Sequence, residues 1–106
     1  MTTKITVIYD NPTDPAAFEA GYGEQLTLAR AVPYVTSMET SKVWPKEDGT
    51  PTPAYRLMDL YFDDYDTAST AVTTDAAAAF FGSVFSLATG GVRIVFAEVS
   101  DETGSE

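Results

Sequence analysis

Two hydrophobic periods alternate along this chain, and their order predicts its architecture. Lys4–Tyr9 (KITVIY) is a short run rich in β-branched residues, closed by the turn cluster Asp10-Asn11-Pro12. It predicts a first strand. Asp14-Pro15 then opens a helix. Asp can accept a free N–H of the first turn, and the N–H that Pro lacks is not needed at the first helical position. At ~100° per residue, Phe18, Tyr22, Gln25, Ala29 and Val32 fall within one stripe, flanked by Leu26 and Leu28. The helix is therefore expected to run to about Val32 and to stop before Pro33. Glu19 and Arg30 lie toward the edges of the stripe. Gln25 is its odd member, a polar amide in the middle of a face that should be buried.

Tyr34–Trp44 predicts a second strand of mixed alternation. Val35 and Val43 share a face with Ser37, Glu39 and Ser41, which suits a sheet edge or the wall of a wet cavity. Pro45–Pro53 (PKEDGTPTP) reads as a loop with a turn at Asp48-Gly49, leading as a hairpin into a third strand, Ala54–Phe62. That strand is apolar and aromatic enough to be central. Asp63-Asp64 caps a second helix with Tyr65, Ala68 and Val72 on one side, and Thr73-Thr74-Asp75 reads as a break and a new cap. In Ala76–Ala88, Phe80, Val84 and Leu87 form one stripe and Phe81, Phe85 and Ala88 an adjacent one, so this helix should touch more than one surface. Gly90-Gly91 ends it, and Val92–Val99 predicts a fourth strand. The order strand, helix, strand, strand, helix, strand is the ferredoxin-like βαββαβ signature of an α+β protein. Residues 1–99 are expected to form one domain, and the polar tail Ser100–Glu106 to fray.

Charge and missing residue types narrow the chemistry. The 106 residues include 16 Asp and Glu but only 6 Lys and Arg, a formal charge of −10. That field repels phosphate backbones and anionic membranes, so neither nucleic acid nor membrane is an expected partner. There is no Cys and no His. Disulfides, thiol nucleophiles and the Ser-His-Asp arrangement are excluded, along with the commonest general base. The acidic group Asp59, Asp63, Asp64 and Asp66 fails calcium-loop spacing, because Ser69 stands where Gly and Asp75 where Glu would be needed. No glycine pattern cradles phosphates, and neither metal nor cofactor is expected. Ile5–Tyr9 is far too short for a signal-peptide core or a membrane span, which favours a cytoplasmic location.

What remains is carboxylates, phenols, Arg and Lys. Tyr9, Tyr22, Trp44, Tyr55, Tyr61, Phe81 and Phe85 could line a cavity for a flat aromatic ligand, or could simply be core. Gln25 could direct its amide at a ligand carbonyl or hydroxyl, or be tied to backbone or water. Arg56 and Arg93 lie in strands. Ion pairs with Asp59, Glu39 or Glu98, across strands or between subunits, are favoured over a carboxylate ligand.

The ordered set Asp14, Pro15, Phe18, Tyr22, Leu28, Ala29 and Pro33 (D-P-x-x-F-x-x-x-Y, then L-A-x-x-x-P), with D-G-T-P-x-P-x-Y-R at Asp48–Arg56 and L-Y-F-D at Leu60–Asp63, resembles the EthD family over roughly residues 4 to 98. The resemblance implies a dimeric α/β barrel, in which two ferredoxin-like sheets meet with helices outside, and a homodimer associated with oxidative catabolism or biosynthesis. Some fungal relatives act as decarboxylases on aromatic polyketides. Relatives typically carry a His after the helix-1 Tyr, in a pattern like Y-x-x-x-H-x-P-L-A. Here Tyr22–Ala29 reads YGEQLTLA, one residue shorter, with Gln25 near the His position and Thr27 near the Pro. Two functions stay open. One is a small cofactor-independent oxidoreductase or decarboxylase-type enzyme with a hydrophobic or aromatic metabolite between sheet and helices. The other is a non-catalytic accessory or binding protein of an oxidative pathway.

Overall fold

The computed structural model describes residues 1–100, so all of the predicted tail but Ser100 lies outside the described residues. Seven elements follow one another: β1 (Thr3–Tyr9), α1 (Pro15–Arg30), β2 (Ser37–Lys42), β3 (Arg56–Phe62), α2 (Tyr65–Ala71), α3 (Asp75–Leu87) and β4 (Val92–Glu98). The strands form one antiparallel sheet in the order β2-β3-β1-β4. This is the ferredoxin-like topology, with the apolar β1 and β3 in the middle and the polar β2 at an edge, as their patterns require.

Period two decides which residues meet the helices. In β1, Thr3, Ile5, Val7 and Tyr9 are buried on the helix side; in β3, Met58, Leu60 and Phe62 are. They pack with Phe18, Tyr22, Ala29 and Val32 from the α1 segment, Ala68 and Ala71 from α2, and Ala77, Phe80 and Val84 from α3. The principal extents are 40 × 38 × 18 Å. The thin dimension is that of one sheet under one layer of helices, and among the described residues no helix covers the other face of the sheet.

The helix starts follow from their caps. The carboxylates of Asp14 and Asp64 accept from Ala17 and Thr67 backbone N–H (3.2 and 2.7 Å), and the Thr74 hydroxyl accepts from Ala77 N–H (3.2 Å). α1 ends at Arg30, slightly before the expected Val32, and Val32 still packs into the core. Gly21 lets α1 approach α3, since a Cβ there would lie 2.7 Å from Leu87 Cδ2.

Several expectations need correction. The second strand is Ser37–Lys42 rather than Tyr34–Trp44, because Tyr34 takes a left-handed backbone (φ 70°) that no strand can continue through. The third begins at Arg56 rather than Ala54, because Tyr55 N–H donates to the Tyr9 carbonyl (2.7 Å). The two strand arginines take other partners than those expected. Arg56 lies on the helix side of the sheet, whereas Asp59 and Glu39 face each other on the open side. Arg56 therefore pairs with Glu19 of α1 (2.9 Å), and Asp59 pairs with Lys4 (3.5 Å) and accepts from the Thr6 hydroxyl. Arg93 pairs with Asp10 (3.2 Å), just past the end of the neighbouring β1.

Candidate functional site

The helical stripe of α1 presents Phe18, Tyr22 and Gln25 to the sheet, and Glu19 stands at its edge. Alternation in β1 and β3 turns Tyr9 and Arg56 to the same side, and Tyr55 precedes Arg56. These residues form a column. Rings of Tyr9 and Phe18 meet edge-on at 4.9 Å, Phe18 stacks on Tyr22 at 5.3 Å, and Tyr55 meets Phe18 edge-on at 5.2 Å.

A polar chain runs through the column. The Tyr9 hydroxyl donates to Gln25 Oε1. Gln25 Nε2 and the Tyr22 hydroxyl are both buried without a well-formed hydrogen bond, and the Arg56 guanidinium lies close enough to the Tyr22 oxygen to lower its pKa. Gln25 is 0% and Tyr22 5% exposed. Leaving a buried donor unmatched costs about 1–3 kcal/mol, so two such groups in one column demand either a partner from outside the chain or a functional reason.

Above them the Arg56 guanidinium lies 4.5 Å from the Tyr22 ring centre and forks onto Glu19, Nε to Oε2 at 3.2 Å and Nη2 to Oε1 at 2.9 Å. The Tyr55 hydroxyl donates to the same Glu19 Oε2 at 2.6 Å.

The electrostatics make this a set of donors. Burial pushes the Tyr9 phenol well above its ordinary range, against the lowering effect of its bond to Gln25. Burial raises Tyr22 as well, partly opposed by Arg56. Tyr55 is pushed up to about 12 by desolvation and by the Glu19 carboxylate. The fork from Arg56 holds Glu19 below the usual carboxylate range, and Arg56 is itself raised by Glu19. At neutral pH the three phenols are protonated, Glu19 is an anion and Arg56 a cation. The arrangement can bind and polarise a carbonyl or hydroxyl; it holds no ready proton acceptor other than Glu19.

Of the candidates read from the sequence, the structure brings Tyr9, Tyr22, Gln25 and Tyr55 together and leaves four elsewhere. Tyr61 faces the open side of the sheet, where its hydroxyl donates to Glu39 (2.7 Å) and is pushed up to about 12 by that carboxylate and by burial. Trp44 lies just past β2, 88% exposed, and Phe85 is 61% exposed on α3. Phe81 is half-buried beside Phe80, ring centres 5.0 Å apart. A groove of about 380 Å³ between the end of β2 and the β2–β3 loop shares Tyr55 with the column and is also lined by Asn11, Lys42, Pro45 and Lys46. Sequence reading missed Glu19 as a site residue, and the two lysines as groove residues. Glu19 was detectable only as a charge one residue from the buried stripe, and the lysines only once the loop was placed. Among the described residues no group of three or more carboxylates could hold a metal ion, and no single helix is long and apolar enough to cross a membrane.

No protein-family model matches the chain. Over 96 residues it is 31% identical to an uncharacterised 11.0 kDa protein in the thcB–thcC intergenic region of Rhodococcus erythropolis, covering 90% of this chain and 92% of that one. An ethyl tert-butyl ether D (EthD) family protein from Bacillus halodurans superposes with a TM-score of 0.86 at 23% identity, over 94% of this chain and all of that one. A dimeric ferredoxin-like protein of unknown function from Thermobifida fusca gives 0.70 at 13% identity, covering 93% and 92% of the two chains. A cofactor-independent oxygenase from Streptomyces nogalater, SnoaB, gives 0.64 at 13% identity, covering 96% and 95%. The chain belongs to the family of the Rhodococcus protein, and the fold it shares with the Bacillus protein bears out the EthD resemblance carried by its motifs.

Proposed function

We propose that this EthD-like protein, working as a homodimer, binds a hydrophobic or aromatic metabolite through the column beneath α1. A carbonyl or hydroxyl of the ligand is held by Tyr22 and Gln25, and its apolar body lies against the rings of Phe18 and Tyr55. The observation that carries this reading is the pair of buried groups without a well-formed hydrogen bond, the Tyr22 hydroxyl and Gln25 Nε2, both on the buried stripe of α1. Two buried donors favour the form of a ligand whose oxygen gains negative charge, such as an enolate or phenolate; the Arg56 cation beside them is already matched by Glu19. That preference suits cofactor-independent oxidation, the activity named for the Streptomyces neighbour.

The test is calorimetric titration of Tyr22→Phe with candidate aromatic ketones and phenols. Affinity should fall about tenfold, the cost of one hydrogen bond, while thermal stability holds or rises. Unchanged affinity would contradict the assigned role.

A second function, a non-catalytic binding protein of an oxidative pathway, is favoured by the protonated phenols and by the lack of His and Cys. Turnover that scales with protein and disappears in Tyr22→Phe would rule it out.

A further inference from the structure

Few positive charges are available in this acidic chain, and their placement is uneven. Among the described residues three of the six are in ion pairs: Lys4 with Asp59, Arg56 with Glu19 and Arg93 with Asp10. Arg30 sits in the last turn of α1, where helix carbonyls favour a cation. The remaining two, Lys42 and Lys46, have no carboxylate within pairing distance among the described residues, and both line the groove that ends on Tyr55.

That groove has apolar walls, Val43, Pro45, Pro51 and the Tyr55 ring. Its rim is tied down. The Asn11 amide donates to the Thr52 carbonyl (2.9 Å), fixing the β2–β3 loop to the end of β1. The Asp48 carboxylate accepts from Thr50 N–H (3.0 Å) and the Thr50 hydroxyl (2.7 Å) and forms no direct ion pair with Lys46. Lys42 Nζ stands 5.6 Å over the Tyr55 ring. Two ammonium groups outside any direct ion pair, Lys42 feeling Glu19 only at longer range, sit on a held, apolar-walled groove and form a local attractor for anions in a molecule whose net field repels them. The groove volume suits a small organic ligand.

We propose that this groove binds the carboxylate of an aromatic acid between Lys42 and Lys46, with the ring of the acid against Tyr55. The inference rests on the function proposed above, of which it names the ligand class, because Tyr55 is common to groove and column.

Two probes of one shape separate the questions: 2-naphthoate, which is anionic, and 2-naphthamide, which is neutral. Both are titrated into the wild type, the double variant Lys42→Gln/Lys46→Gln and Tyr22→Phe, each first shown to melt cooperatively. At low salt 2-naphthoate should bind the wild type roughly tenfold more tightly than the amide, as two exposed cations permit. The preference should vanish in the lysine variant and shrink in about 0.5 M salt. Equal affinity of the two probes in the wild type, or a preference that survives loss of both lysines, would overturn the inference. Binding of both probes without charge preference, weakened by Tyr22→Phe, would leave the column reading intact. A preference lost with the lysines but indifferent to Tyr22→Phe would support the groove and contradict the column. No binding of either probe at millimolar concentration would overturn the groove as an aromatic-acid site.

Discussion

Gln25 is fully buried while only half of its amide is bonded, and the cost is divided unevenly among its neighbours. Replacing it by Leu removes the unmatched Nε2 but leaves the buried Tyr9 hydroxyl without an acceptor. Gln25→Leu alone should therefore change stability little or lower it, and adding Tyr9→Phe should restore about 1–2 kcal/mol. Urea denaturation of the two single variants and the double variant checks this; strictly additive effects would contradict the pairing. Glu19 gives a pH signature. Its folded pKa is depressed, so the stability it adds is present above the ordinary value of 4.5 and is lost as pH falls through the lower folded value. Glu19→Gln should be less stable than wild type at neutral pH, by less than about 1 kcal/mol because the pair is partly exposed, and the difference should close in acid. The buried amide was legible in the sequence because helical spacing places Gln25 among Phe18, Tyr22 and Ala29. The partner of Arg56 was not, since which face of β3 meets α1 is decided by packing of the whole sheet.

Elements that carry a strong period, β1, α1, β3, α3 and β4, stand close to their expected positions; all but β4 bury a stripe or face in the core, and β4 is held by its pairing with β1 and by the half-buried Val92 and Ile94. The ends that moved are Tyr34, whose left-handed backbone breaks the entry to β2, and Tyr55, whose N–H is taken by the Tyr9 carbonyl. The turn from α3 into β4 packs so tightly on the segment after β1 that a Cβ on Gly90 would overlap the Asn11 carbonyl oxygen. Neither atom belongs to a flexible side chain. Gly90→Ala should cost about 2–4 kcal/mol, read as a lower thermal midpoint, whereas Gly23→Ala, with open space at its Cβ, should be neutral or stabilising.

At the scale of the whole molecule the sheet has one covered face and one open face. The open face carries Ile8, Leu57, Val95 and Ala97 around the Lys4–Asp59–Thr6 cluster. A second copy would cover it, in line with the Thermobifida neighbour described as dimeric. Sedimentation at micromolar concentration should give about twice the 11.4 kDa chain mass, and Leu57→Asp should shift it toward the monomer by placing an uncompensated charge in the interface. A wild-type mass of one chain would defeat the dimer. The proposed dimer comes from the family resemblance, since alternation in a single chain cannot say what covers a second face.

The buried Tyr22 hydroxyl and Gln25 Nε2 are the polar end of the proposed ligand site. The most direct measurement is a high-resolution crystal structure of the protein soaked with 2-naphthamide. Ligand density is expected with its oxygen within hydrogen-bond distance of both groups. A ligand-free column in which Tyr22 and Gln25 bond to each other or to a single enclosed water would contradict it.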